Sequence, residues 1–126
     1  MTDRLRATVR ALRGATTVER DTAADIVAAS AELVREVCAR NSVAPADVIS
    51  IVFTATPDLT SEFPAAGARS LGLSGVPLLC AREIDVRGAL RRCIRVLVHV
   101  HTDRTPEALE HVYLADARAL REDLGR

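Results

Sequence analysis

From Cys93 to His101 the chain alternates without a break. Ile94, Val96, Val98 and Val100 fall on one side, and Cys93, Arg95, Leu97 and His99 on the other. A sustained period of two fits a strand and not a helix. The β-branched side must enter a core. The other side then presents Arg95 from a rigid element rather than from a loop. Just upstream, Val76–Arg82 is an apolar strand-like run with Pro77 near its start, where a sheet tolerates proline. Between the two runs stand Cys80, Glu83 and Asp85, then Arg87, Arg91 and Arg92. A carboxylate beside several guanidiniums, held at the ends of two strands, suits a small polar anion.

The remaining elements surround this centre. Arg6–Arg13 alternates and reads as a strand, with Gly14 as its exit. Arg13 at that exit is either an anion contact or a solvated edge charge. Thr22–Arg40 reads as a helix, with Thr22 and Asp25 at capping-box spacing. Ile26, Ser30, Leu33 and Val37 form its stripe, widened by Val27, Val34 and Cys38. Asn41 ends it. Val48–Ala55 reads as a largely buried strand. Thr56-Pro-Asp-Leu breaks it, and Phe63-Pro64 opens a short helix, Ala65–Leu71, closed by Gly72. Phe63 either covers a pocket or joins the core; Arg69 either reaches the same space or is solvated. Ile84–Leu90 reads as a turn or short helix. Thr105–Leu109 reads as a short helix, and His111–Ala115 as a fifth strand carrying Tyr113, whose hydroxyl can donate to a carboxylate. Asp116–Arg126 closes the chain as turn or helix, with Arg121 as tail charge or lid contact.

The order β-α-β-α-β-β-α-β predicts an α+β fold: a mixed five-stranded sheet with helices on one face. The 126 residues suit one domain, with a mobile start at residues 1–5. The bare sheet face is expected to pack on another subunit, with sites at the interfaces. Formal net charge is zero, so there is no bulk pull toward nucleic acid or membrane. All 17 basic side chains are arginine, which excludes a lysine Schiff base and a P-loop lysine. The three cysteines lack metal spacing, and no leader or long apolar span is visible, so a reduced cytoplasmic setting is expected. His99 and His101 share a face, but His111 is the only other histidine, so they read as a polar surface pair rather than a metal site.

Several segments together resemble the small, trimeric, barrel-type chorismate mutases. They are Arg13-Gly-Ala-Thr-Thr-Val-Glu-Arg-Asp, Thr54-Ala-Thr-Pro-Asp-Leu, Phe63-Pro-Ala, Val76-Pro, Cys80 with Glu83, Asp85-Val, Cys93-Ile-Arg-Val and His111-Val-Tyr-Leu. They occur in the same order from about Leu12 to Leu124. The resemblance implies a homotrimer whose sheets form a pseudo-α/β barrel, with sites at the clefts between subunits. It implies rearrangement of chorismate to prephenate without a cofactor. It assigns substrate carboxylates to Arg13 and Tyr113, and a carboxylate with the ether oxygen to Arg95. It gives the ring hydroxyl to Glu83 with Cys80 close by, in the stretch Leu79, Cys80, Ala81, Arg82. Phe63 and Arg69 are implied to border the cleft from a neighbouring subunit. Leu120 and Arg121 are implied to close it, as part of a C-terminal segment at residues 115–126. The family often has a lysine shortly after the Phe-Pro pair; here Ala65, Ala66 and Gly67 follow, so one rim charge is missing.

The chemistry is compatible with the residues themselves. A sigmatropic rearrangement asks for no nucleophile, base or metal. It asks for a clamp on a flexible dianion and a cation where negative charge develops. A different class of reading also fits: a metabolite-binding module in which Glu83 and Arg95 form only a structural ion pair.

Overall fold

The computed structural model describes residues 7–125, with side chains to residue 121; the predicted mobile start lies outside the described residues. The alternating run forms β4 (Cys93–Thr102), the middle strand of a five-stranded sheet ordered β3-β2-β4-β1-β5. β4 pairs antiparallel with β1 (Thr8–Thr17) and with β2 (Val48–Ala55). Each outer strand runs parallel to its inner neighbour: β3 (Leu78–Arg82) to β2, and β5 (Val112–Tyr113) to β1. Ile94, Val96, Val98 and Val100 are all buried, as the alternation requires.

Helix α1 (Ala23–Arg40) covers that apolar face. Thr22 caps it, accepting a hydrogen bond from the Asp25 N–H at 3.1 Å. Ile26, Ser30, Leu33, Val34 and Val37 are buried along the expected stripe. Helix α2 (Ala65–Ser70) crosses α1 at Gly67. A Cβ there would lie 2.6 Å from the Ala31 nitrogen and 2.7 Å from Ser30 Cβ, so only glycine permits the two backbones to approach this closely.

Three expectations shift, and one pair of alternatives is decided. β1 does not exit at Gly14 but continues to Thr17. A Cβ on Gly14 would sit 3.0–3.1 Å from Val96, Leu33 and Val37, so this glycine admits α1 onto the sheet instead of making a turn. Of the turn or short helix expected for Ile84–Leu90, the structure takes the turn, with Gly88 at φ +84°. The predicted Thr105 helix is a single 3₁₀ turn, Pro106–Ala108, and the Thr105 side chain does not cap it. The last strand is only Val112–Tyr113, because Ala115 adopts φ +52° and leads into a 3₁₀ turn, Ala115–Ala117, and then α3 (Arg118–Gly125).

α3 lies apart from the helices on the α1 side. Ala117 packs with Ala15 and Cys93, and Leu90, Tyr113 and Leu120 pack against them. Ala15 pairs with Arg95 and is out of phase with Gly14 and Leu12, so this small cluster covers one end of the face turned away from α1. The rest of that face presents Val9, Leu79 and Leu97 to the exterior. His99 lies there too, with its Nδ1 3.3 Å from Ser50 Oγ. No helix among the described residues is long and apolar enough to cross a membrane.

Candidate active site

One rung line crosses the face turned away from α1. It runs from Tyr113 on β5 to Ala15 on β1, Arg95 on β4, Thr54 on β2 and Ala81 on β3. At about 4.8 Å per strand, Tyr113 and Arg95 have backbones about 10 Å apart, the scale of a small dianion. Arg13 lies on the same side of β1, two residues from Ala15.

Glu83 directly follows β3, and its N–H donates to the Ala55 carbonyl at 2.9 Å, prolonging the β2–β3 ladder. That bond brings its carboxylate over β2. The Thr54 hydroxyl donates to Glu83 Oε2 in a very short hydrogen bond, and Arg95 Nε lies 3.1 Å from the same oxygen. The Arg95 contact is a charge pairing and not an aligned hydrogen bond, since this buried Nε has no properly directed acceptor. Glu83 is 16% exposed and Arg95 42%, so the carboxylate is shielded and the guanidinium stays open to the outside. The Cys93 thiol lies beside this pair. Burial pushes its pKa up to about 11; Arg95 pulls the other way, and Glu83 adds to the rise. It is therefore a neutral thiol.

Arg13, Tyr113 and Arg121 line a cavity of about 560 Å³ together with Glu107–His111. The backbone N–H of Arg13 donates to His111 Nδ1 at 2.9 Å. Burial, and then the Arg13 charge, hold the His111 pKa below the ordinary histidine value. Just before it, Asn41 is buried at the end of α1. Its amide donates to the Val37 and Glu110 carbonyls, each at 2.8 Å, and its oxygen accepts from the Glu110 N–H at 2.7 Å.

Other expected residues lie elsewhere in the chain. Cys80 pairs with Phe53 and Arg82 with Ala55, so both share the α1 side of the sheet, whereas Leu79 and Ala81 share the side of Arg95. Within one chain Cys80 is thus across the sheet from Glu83, not close by it. Cys80, Ala81, Arg82 and Phe63 line a separate cavity of about 420 Å³ at the β3 edge. Phe63 is 65% exposed, outside the core. Its loop is tied down by Asp21, whose carboxylate accepts from the Thr60 N–H, the Thr60 hydroxyl and the Ser61 N–H at 3.0–3.1 Å. Arg69 is exposed on α2 and does not line that cavity. The candidates therefore fall into two half-sites. Arg13, Glu83, Arg95, Tyr113, Leu120 and Arg121 belong to the face turned from α1 and its β5 edge; Phe63, Cys80 and Arg82 belong to the opposite edge.

Two residues at the centre were given no role in the sequence reading. Thr54 is in phase with Ser50 on β2, a hydroxyl pair spaced for one face of an otherwise apolar strand. Cys93 opens the alternating run on the face of Arg95. In both cases the period of two was the available signal. Among the described residues, no group of three or more His, Cys, Asp or Glu is placed to hold a metal ion.

Comparison with known proteins gives a consistent answer. Residues 9–124 match the profile of the family described as chorismate mutase type I. The chain is 44% identical to the chorismate mutase AroH of Bacillus subtilis (strain 168) over 117 residues, 92% of each chain. It is 46% identical to the chorismate mutase AroH of Thermus thermophilus over 117 residues, which cover 92% of this chain and 96% of that one. The fold superposes on a solved chorismate mutase from Clostridium thermocellum with a TM-score of 0.86 at 46% identity, covering 87% of this chain and 98% of that one. With its mixed sheet, its register and its near full-length similarity to these proteins, this chain belongs to the type I chorismate mutase family.

Proposed function

We propose that the protein rearranges chorismate to prephenate, the isomerase step of aromatic amino acid synthesis, by clamping the substrate and stabilising developing charge. The observation that carries this reading is Arg95. It is a half-exposed guanidinium on the central strand, tethered 3.1 Å from a shielded carboxylate and on the same rung line as Tyr113. In the rearrangement the ether C–O bond breaks while a C–C bond forms across the folded enolpyruvyl arm. Negative charge builds on the ether oxygen. A cation already fixed beside that oxygen stabilises the transition state more than the ground state. A planar guanidinium can hold the oxygen and a neighbouring carboxylate together. Arg13 and Tyr113 grip the substrate carboxylates, which selects the reactive chair and lowers the entropic barrier. Glu83, oriented by Thr54 and Arg95, accepts from the ring hydroxyl.

The working unit in this proposal is a homotrimer. The division into two half-sites supports it: Phe63 and Cys80 complete a cleft whose charged wall comes from a neighbouring copy, and Arg69, exposed on α2, borders it. The exposed Val9, Leu79 and Leu97 supply an apolar surface for that contact. Leu120 and Arg121 close the cleft. Ala66, in place of a family lysine, leaves the rim one cation short and weakens the initial hold on the dianion. The three unpaired cysteines favour a reducing, cytoplasmic setting.

Purified protein mixed with chorismate should consume its ultraviolet absorbance, and a bicyclic diacid resembling the transition state should stop it. Native mass measurement should give three chains per particle. No loss of absorbance defeats the catalytic reading; a fully active single chain defeats the interfacial one.

A further inference from the structure

We infer that His111 is a positioning residue for the rearrangement: its neutral imidazole supplies a rung that the short β5 ladder lacks, and so fixes Arg13 relative to Tyr113. This rests on the reading that Arg13 and Tyr113 bind substrate.

The β1–β5 ladder pairs only Gly14 with Val112 and Ala15 with Tyr113, extended by the Leu114 N–H to the Ala15 carbonyl. One residue below, the Arg13 N–H is satisfied by a side chain, His111 Nδ1 at 2.9 Å. Two rungs make a weak strand on their own. The flanking segment is therefore held by side chains: Asn41 grips both backbone groups of Glu110, and His111 grips the backbone of Arg13. Tyr113 follows two residues later.

A ring nitrogen that accepts a backbone N–H carries no proton, so the hydrogen of the neutral ring is on Nε2. Protonation would set N–H against N–H and break the rung. The charged and titratable groups around the ring are Arg13 from β1, Tyr113 on β5, Glu107 and Glu110 from the preceding turn, and Arg121 from α3. The Glu110 carboxylate is drawn toward Arg40, 3.5 Å away. Burial and the Arg13 charge both oppose the imidazolium. The rung is thus intact at neutral pH. It persists below the usual histidine range of about 6.5 and fails as pH falls through the lowered value of His111.

Three forms test this: wild type, His111→Ala and His111→Asn. The Asn Oδ1 can stand where Nδ1 stood, and it cannot be protonated. His111→Ala should raise KM about five- to tenfold, the worth of one lost hydrogen bond, with kcat nearly unchanged. It should also speed hydrogen exchange at the Arg13 amide by a similar factor. His111→Asn should restore both KM and amide protection, and should hold its KM at acid pH where the wild type loses it. The inference is overturned if the alanine variant keeps a normal KM and amide protection. It is also overturned if asparagine fails to rescue, or if wild type and His111→Asn share one acid limb. A wild type with no turnover would strike the functional reading alone, and the amide measurement would still judge His111.

Discussion

Arg95 and Tyr113 stand on one rung line two strands apart, yet they are held by different means. Arg95 lies inside a ten-residue strand that is paired on both sides, with its side chain tied to Glu83. Tyr113 lies on a two-residue edge strand whose approach is secured by Asn41 and His111. The centre is over-determined by backbone. The edge depends on a few side-chain bonds, each worth only about 1 kcal/mol net. This division suits a clamp. A charge that faces a breaking bond gains most from being unable to move, whereas groups that admit and release a dianion need a segment able to yield.

The contrast can be broken at several points. Arg95→Lys should lower kcat by roughly 10²–10³, about 3–4 kcal/mol, and leave Tm almost unchanged. Steady-state kinetics showing near-normal turnover would remove Arg95 from the reaction. Glu83→Ala should reduce kcat/KM by about 30-fold, since a hydrogen bond to a charged group is worth about 2 kcal/mol; unchanged efficiency would put the ring hydroxyl elsewhere. Asn41→Ala acts on the edge instead. It should cost about 2 kcal/mol of folding stability in denaturant unfolding and raise KM more than it lowers kcat, because it leaves the Glu110 backbone unpaired. A fall in kcat alone would mean that the edge does more than hold substrate. Thr54→Val should be mildest, near fivefold in kcat/KM, about 1 kcal/mol, from loss of the hydroxyl that orients Glu83. A larger effect than Glu83→Ala would reverse the order of importance at the centre.

How far the sequence disclosed all this depended on the length of its periodic runs. β4 and α1 were legible because alternation or a helical stripe persists over many residues. β2 was closed by the break at Thr56-Pro57 and was read to the residue. β1 was cut short in the reading because a glycine suggests a turn, while the true reason for Gly14 is a helix lying against the strand. The site shows the same limit. Arg95 could be placed from its own strand. Cys80 could not, because Leu-Leu-Cys-Ala-Arg is mostly apolar in both phases and nothing marks which phase faces α1. β5 is too short to carry a pattern, so its dependence on Asn41 and His111 emerges only when residues about 70 and 98 positions apart are brought together.

The raised pKa of Cys93 has a chemical corollary. With a value of about 11, roughly one thiol in 10⁴ is ionised at neutral pH. Thiolate is the form that attacks electrophiles and oxidants, so the sulfur nearest Arg95 is passive toward an unsaturated ligand and toward peroxide. Mass spectrometry after brief iodoacetamide treatment of the intact protein should find Cys93 unmodified; ready alkylation there would show that the thiol is neither shielded nor neutral. The protein can thus keep a soft, compact atom beside the guanidinium of Arg95 without acquiring a point of oxidative damage.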